Sequence, residues 1–292
     1  MKLLSPRLDV VFKKLFSEPD NKPLLTDFLA SVLEVDSDKI HDLRIVNGEI
    51  TPSMINEKFI RLDLTVLIDG AKIDIEMQCL GNEYYRDRAL YYWAKLYARD
   101  LKSGEGYDML EQTISINICN FNMFECEEYH STFKLFEQNR HELLTDKCRL
   151  DFLELKKARN TKSRQIKRLE RWMKFLNVET EEEADMIASI DPVMEKAVLA
   201  LRVMSSDSTA RQLAQMREEQ MHEEATAMAA ARSSGIKIGM EQGLQQGMEQ
   251  GLQQGMEQGL QQGMEQGRSE VIKMMRLSGM SEEQINSILS QS

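Results

Sequence analysis

The stretch from Arg61 to Gln78, RLDLTVLIDGAKIDIEMQ, leaves the chain few ways to fold. Leu62, Leu64, Val66 and Ile68 alternate with Arg61, Asp63, Thr65 and Leu67, which is the period-two pattern of a β-strand. Ile73, Ile75 and Met77 alternate in the same way with Asp74, Glu76 and Gln78. Between the two runs lies Asp69-Gly70, a dipeptide suited to a two-residue type I′ turn because both central residues need φ > 0. If these two residues are the whole loop, Ile68 faces Ala71, Asp63 faces Glu76 and Arg61 faces Gln78.

That register crowds Asp63, Asp74 and Glu76 onto one face of one hairpin. Like charges directly opposed across two strands destabilise the pair. One remedy is a protonated carboxyl with a raised pKa. The other is a hard divalent cation such as Mg²⁺ bridging the oxygens. The flanking Arg61 and Gln78, suited to a phosphate and a water, favour the cation. A sheet face that merely collects solvated polar residues is the competing reading.

Asp63, a strand turn and then Glu76-Met77-Gln78 resemble the core motif of PD-(D/E)XK nucleases. The wider chain resembles their Rpn group, the recombination-promoting nuclease and transposase family. LDVVFKKLFSEPDNKPLLTDFLASVL and ALYYWAKLYARDLKSGEGYDML are similar to that family as well, so the likeness spans residues 5 to 160. The resemblance implies an α/β fold: a PD-(D/E)XK-like mixed sheet with flanking helices, followed here by an α-helical C-terminal region containing a glycine-repeat helix. It also implies Asp63, Glu76 and Gln78 as catalytic residues, with Mg²⁺ or another divalent cation on Asp63 and Glu76, and DNA as substrate. The general motif ends in Lys where this chain has Gln78. Glutamine can hydrogen-bond a water but supplies no positive charge.

Before the hairpin, Leu8, Val11, Phe12, Leu15 and Phe16, then Leu24, Leu25, Phe28, Leu29, Val32 and Leu33, form two helical apolar stripes broken between Pro19 and Pro23. Asp9 opens the first stripe. The resemblance allows it into the metal site, whereas the helix macrodipole alone also favours an acid there. Residues 39 to 51 read as a strand, and residues 84 to 102 as a helix burying Ala89, Leu90, Trp93, Leu96, Tyr97 and Leu101. Arg86, Arg88, Lys95 and Arg99 on that helix can meet phosphates or form a solvated face. Residues 112 to 121 read as a buried strand, and 131 to 138 and 146 to 155 as two more or as a second hairpin.

From Lys156 to Lys174 nine basic residues stand against the single acid Glu170. Within this run Lys162, Arg164, Lys167 and Arg168 can track a phosphate backbone. A solvated helix with snorkelling stems is the alternative. Residues 178 to 232 are helical by period. Nine glycines then recur every fourth residue from Gly235 to Gly267, with the unit GLQQGMEQ repeated three times. Leu, Met, Gln and Glu fill the other positions and favour helix, while each glycine costs about 1 kcal/mol relative to Ala. The segment therefore reads either as a helix that self-associates along its glycines, making the protein a homo-oligomer through residues 235–267, or as a low-complexity linker. Glu270 to Ser290 reads as two short helices around Gly279, with Ser281 an N-cap. These divisions give a nuclease-like domain over 1–160, a helical region with the basic segment over 161–232, the repeat over 233–267 and a small helical tail over 268–292.

The net charge of −11 lends no global support to nucleic-acid binding, so local distribution must supply it. Cys79, Cys119, Cys126 and Cys148 form no CxxC pair and do not cluster with the four histidines, which argues against a zinc site and fits a reducing cytosol. No N-terminal signal-like apolar region and no membrane-spanning run appears, so a cytoplasmic protein is expected. The resulting expectation is a Mg²⁺-dependent DNA endonuclease, which the resemblance connects to recombination or mobile elements. A non-catalytic DNA- or protein-binding module assembled through the glycine tail is the rival class, and an RNA-cutting enzyme a third reading.

Overall fold

The computed structural model describes residues 2–46, 49–50, 60–61, 63–159 and 167–289, with the backbone alone at 49–50, 60–61 and 289. The chain divides into two compact units, residues 1–223 and 224–292.

In the first unit, α1 (Asp9–Ser17) and α2 (Lys22–Leu33) bury the two stripes read from the sequence; Val11, Phe12, Leu15 and Phe16 are all inside. Five strands follow: β1 (Leu43–Val46), β2 (Glu49–Ile50), β3 (Ile60–Arg61), β4 (Leu64–Ile68) and β5 (Ala71–Gln78). Helix α3 (Tyr85–Ala98) crosses to β6 (Thr113–Cys119), then β7 (His130–Phe133) and β8 (Cys148–Glu154) complete the strands. The main sheet has the order β1-β4-β5-β6-β8-β7, in which β5, β6 and β8 run parallel and the outer pairings are antiparallel. A parallel neighbour needs a crossover, and α3 provides the one from β5 to β6.

The turn forms as its residues require, with φ of 47° at Asp69 and 84° at Gly70. Ile68 pairs with Ala71, and the ladder continues to Leu64 opposite Ile75. It stops there. Arg61 does not face Gln78; it lies opposite Glu49 in the separate two-stranded sheet β2-β3. That corrects the sequence reading, in which one hairpin ran unbroken to Arg61.

Ile73, Ile75 and Met77 of β5 and Ile114, Ile116 and Ile118 of β6 face a core closed by α1, α2 and α5 (Arg168–Leu176). The opposite face of β5 carries Lys72, Asp74, Glu76 and Gln78 beside Thr113, Ser115, Asn117 and Cys119 of β6. Alternation in the sequence marks this face as polar, but it is not open to water. Tyr85, Ala89 and Leu96 of α3 are buried over it, and Trp93 donates its indole N–H to the Thr113 carbonyl at 2.8 Å. Leu90, expected inside, is exposed.

After α4 (Leu155–Arg159) and α5 come α6 (Glu181–Ala188) and α7 (Pro192–Ser206). Thr180 caps α6 by accepting from Glu183 N–H at 3.2 Å, and Asp191 caps α7 by accepting from Val193 and Met194 N–H at 2.8 and 3.0 Å. Trp172, Phe175, Leu201 and, from α8 (Ser208–Leu277), Ala210 and Ala214 join the same core as the sheet. A boundary at residue 160 therefore falls within a shared core.

The second unit holds the remainder of α8 and α9 (Glu282–Leu289). The glycine repeat is continuous helix. Gly279, at φ 83°, follows the end of α8, so the first of the two short helices expected around it is the last stretch of α8. Ser281 caps α9 in a reciprocal box with Gln284.

Candidate active site

Asp63 sits one residue beyond the last ladder pair, and its backbone and side chain take over the pairing. Its N–H donates to Glu76 Oε1 at 3.1 Å, and its own Oδ2 accepts from Met77 N–H at 2.9 Å. Each carboxylate is thus aimed by a backbone N–H of the other strand. Among the described residues the second oxygen of each carries no hydrogen bond, and no ion pair engages either group. Burial disfavours ionisation of both groups, and at Glu76 the charge of Asp63 adds to it. Glu76 is pushed up to about 8 by burial and by Asp63, against its bond from Asp63 N–H and the pull of Arg88. Asp63 is pushed up to about 6, chiefly by burial and with a contribution from Asp9, against its bond from Met77 N–H.

Asp74, two residues back on the same face, is fully buried, and neither of its oxygens finds a partner among the described residues; nor does the Oγ1 of Thr65, opposite it in the ladder. Burial and the charges of Glu76 and Asp63 push its pKa well up. Lys72 lies on the same face but gives its ammonium to Asp100 and Glu111, at 2.7 and 3.4 Å, not to Asp74.

Gln78 is half-buried at the end of β5, and among the described residues its amide makes only a long bond to the Met77 carbonyl, 3.4 Å. Arg88 lies over the rings of Tyr85 and Tyr92, at 4.7 and 5.7 Å to their centroids, and its buried Nε has no hydrogen-bond partner among the described residues. Its charge bears on Glu76. Tyr85 donates its hydroxyl to Asn117 Oδ1 at 2.8 Å beneath α3. Neither Tyr85 nor Asn117 is marked by a motif; the signal was their place on the polar period of β6 and the inward stripe of α3.

Asp9 is close enough for its charge to raise both Asp63 and Glu76. Its oxygens are occupied by Arg217 of α8, whose Nε donates to both at 2.9 and 3.0 Å. Cys79, next to Gln78, is half-buried, donates its thiol to the Arg7 carbonyl and is pushed up to about 12 chiefly by desolvation, so it is no nucleophile.

Among the described residues no third histidine, cysteine or carboxylate closes a cage with Asp63 and Glu76. The pair nevertheless suits Mg²⁺, which keeps several waters and is usually bound by one or two carboxylates plus substrate phosphates. A buried and a half-buried acid with spare oxygens and no described protein cation bonded to them are what such an ion neutralises.

The basic residues expected at DNA are dispersed. Arg86 donates to the Met123 carbonyl and stacks on Phe124. Arg168 pairs with Asp27 at 2.8 Å and donates to Val35 O and Ser37. Lys167 is exposed on a cleft of about 520 Å³ that Glu34, Asp36 and Glu128 also line, a poor setting for a phosphate. Elsewhere in the basic run Lys157 pairs with Glu154, Arg159 with Glu179 and Arg171 with Asp27 and Asp191. Lys162 and Arg164 lie outside the described residues, as does the side chain of Arg61.

No curated protein and no solved structure matches the chain. The family model for PD-(D/E)XK nuclease family transposases matches residues 6–231, which takes in the sheet, the paired carboxylates and the start of α8. The chain belongs to the PD-(D/E)XK nuclease family transposases.

Proposed function

We propose that this protein is a divalent-metal-dependent DNA endonuclease working at Asp63 and Glu76. The observation that carries the reading is the state of this pair: Glu76 buried and Asp63 half-buried, aimed by each other's strands, each with a spare oxygen and no cation bonded to it among the described residues. Asp63 and Glu76 hold Mg²⁺ or a similar ion, and nucleases of this family generally use divalent metals. Bound there, the ion polarises the scissile phosphate and lowers the pKa of an attacking water.

The chain's own groups do the rest. Gln78 orients the water, since its amide both donates and accepts. Arg88, fixed by the rings beneath it, stabilises negative charge on the phosphate as it builds. Arg61, two residues before Asp63 in the chain, contacts the flanking backbone. Addition of water at phosphorus breaks one P–O bond and leaves a phosphate monoester and a free hydroxyl. A cytoplasmic role in recombination or mobile-element movement fits such an activity.

The test is cleavage of supercoiled plasmid. The parent should cut with Mg²⁺ and stop with a chelator, and Asp63→Asn and Glu76→Gln should not cut. Equal cleavage by all three proteins, or cleavage indifferent to chelator, contradicts the assignment.

The tail supports a second role, self-association. Leu244, Met248, Leu252, Met256, Leu260 and Met264 follow the glycines and are each about two-thirds exposed on α8. Close approach of a second copy along the glycines covers them. A four-residue spacing exceeds 3.6, so the stripe turns by about 40° per step and the pair twists right-handed.

A further inference from the structure

Helix α8 brings one charged residue to the carboxylate site. Ala210 and Ala214 of this helix are buried, and Met221 packs against the same core. Steps of four, three and four residues put Arg217 on that inward stripe between Ala214 and Met221. An arginine where the pattern calls for an apolar residue needs a cause, because a charge removed from water is costly unless paired. Its pairing is with Asp9, the first residue of α1, through the two bonds of 2.9 and 3.0 Å from Nε. Asp9 is itself fixed by accepting from Val10 N–H at 2.8 Å.

The pair is not sealed off: the Arg217 and Asp9 side chains keep 28% and 23% exposure. Cys79, the residue after Gln78, donates its thiol to the Arg7 carbonyl, two residues before Asp9, so the Asp9–Arg217 pair sits by the end of β5, where the charge of Arg217 bears on Asp63. Arg88 reaches Glu76 in the same way. Positive charge thus bears on Asp63 from Lys13 of α1 and Arg217 of α8, and on Glu76 from Arg88 of α3. Gln78 itself carries no charge.

We propose that Arg217 is a phosphate-binding residue of the active site, positioned by Asp9, and that it brings the positive charge Gln78 lacks. A guanidinium fits this role because it is always charged, and its planar fork can keep Asp9 on one edge while another meets phosphate oxygens. The catalytic unit then extends past the sheet into the first turns of α8, and cleavage depends on that helix being docked. The proposal rests on the nuclease reading above.

The full-length parent, Arg217→Met, Arg217→Lys and Asp9→Asn are compared in two assays: plasmid cleavage with Mg²⁺, and affinity for a short DNA duplex with Ca²⁺ over a range of salt. Arg217→Met should slow cleavage about a hundredfold, the loss typical of one transition-state donor. It should also weaken duplex binding and lower the salt slope by about one. Arg217→Lys should regain about tenfold of the rate, because charge returns without the fork. Asp9→Asn should lose less than Arg217→Met, since the cation stays but loosens. An arginine with only a structural role predicts a lower melting temperature instead, with rate and salt slope equal to the parent's below it; that result overturns the proposal. If the parent itself does not cut with Mg²⁺ or Mn²⁺, the nuclease reading falls, and the duplex assay still decides: equal affinity and slope for the parent and Arg217→Met overturn the role of Arg217. Should Arg217→Met not fold, the double change Asp9→Asn with Arg217→Met, which leaves no carboxylate unpaired, serves the same comparison.

Discussion

Two sets of acids, one drawn from β8 and α2 and the other from the hairpin, are treated in opposite ways. On β8, Asp151 is fully buried, yet Arg149 binds it through two nitrogens at 2.7 and 3.0 Å, and His130 and Thr132 bond it at 2.8 and 2.6 Å. Burial works to raise its pKa, but these partners outweigh it and hold the carboxyl below the usual range. Asp27 on α2 is handled alike by Arg168, Trp172 and Arg171, against the same opposing effect of burial. On the hairpin, Asp63, Asp74 and Glu76 have no such partners among the described residues and are pushed up. The fold can neutralise a buried acid and does so where the acid is structural. The hairpin keeps its charge uncompensated, as a site awaiting a cation requires.

The largest effect that can break this contrast is on rate. Asp63→Asn or Glu76→Gln should lower plasmid cleavage at least a thousandfold while the circular dichroism stays that of the parent. A loss of under tenfold for both would leave the two sets of acids functionally alike.

Next in size is stability. Arg149→Met takes the guanidinium from buried Asp151 and leaves it to His130 and Thr132, which costs about 3 kcal/mol, the low end for breaking a buried ion pair. Asp63→Asn removes an uncompensated charge and should leave the apo-protein as stable as the parent or more so. Urea melts at pH 7.5 give the two signs directly, and a destabilised Asp63→Asn would place it among the structural acids.

The dependence on pH separates the sets further. A carboxyl whose folded pKa is raised binds more protons folded than unfolded in the interval between its two pKa values, so stability falls as pH rises through that interval. For Glu76 the interval runs from 4.5 to about 8, and for Asp63 from 3.8 to about 6. Asp27 and Asp151, held below 3.8, contribute stability that is present above that value and lost as pH falls through their folded pKa values. Apo-protein stability should therefore decline from about pH 5 to 8 and separately below about pH 4, with Glu76→Gln flattening only the first slope. Chemical melts across this range decide it.

The smallest effect concerns the tail. Truncation after Arg232 should lower the oligomeric state by light scattering and leave the cleavage rate per core within about twofold, because Arg217 and the core packing of α8 lie before the cut. An unchanged mass in solution would make the repeat a solitary helix.

Much of this was legible from the chain. The hairpin follows from Asp69-Gly70 and the alternation around it, and the meeting of Asp63 with Glu76 follows from counting outward from that turn. The counting fails two residues later, where Arg61 leaves for Glu49, because nothing local marks the end of a ladder. Polar alternation on β5 also reads as a solvated face, whereas α3 covers it; a strand's own pattern does not reveal what packs on it. The basic run from Lys156 to Lys174 reads as a nucleic-acid track, but much of it is drawn to Asp27, Asp191, Glu154 and Glu179. Such pairings depend on which distant acids the fold brings near. Arg217 was missed although it breaks the stripe of Ala210, Ala214 and Met221, since one charge in a helix this rich in Glu and Gln does not stand out.

Calorimetric titration of Mg²⁺ into the parent and into Asp63→Asn at pH 7.5, each in two buffers of different ionisation enthalpy, tests the central claim most directly. The account predicts one saturable site in the parent that releases protons on binding, because Glu76, raised to about 8, must give up its proton to take the ion. It predicts that the site is lost in Asp63→Asn. An undiminished site in Asp63→Asn, or no saturable binding by the parent, would contradict it.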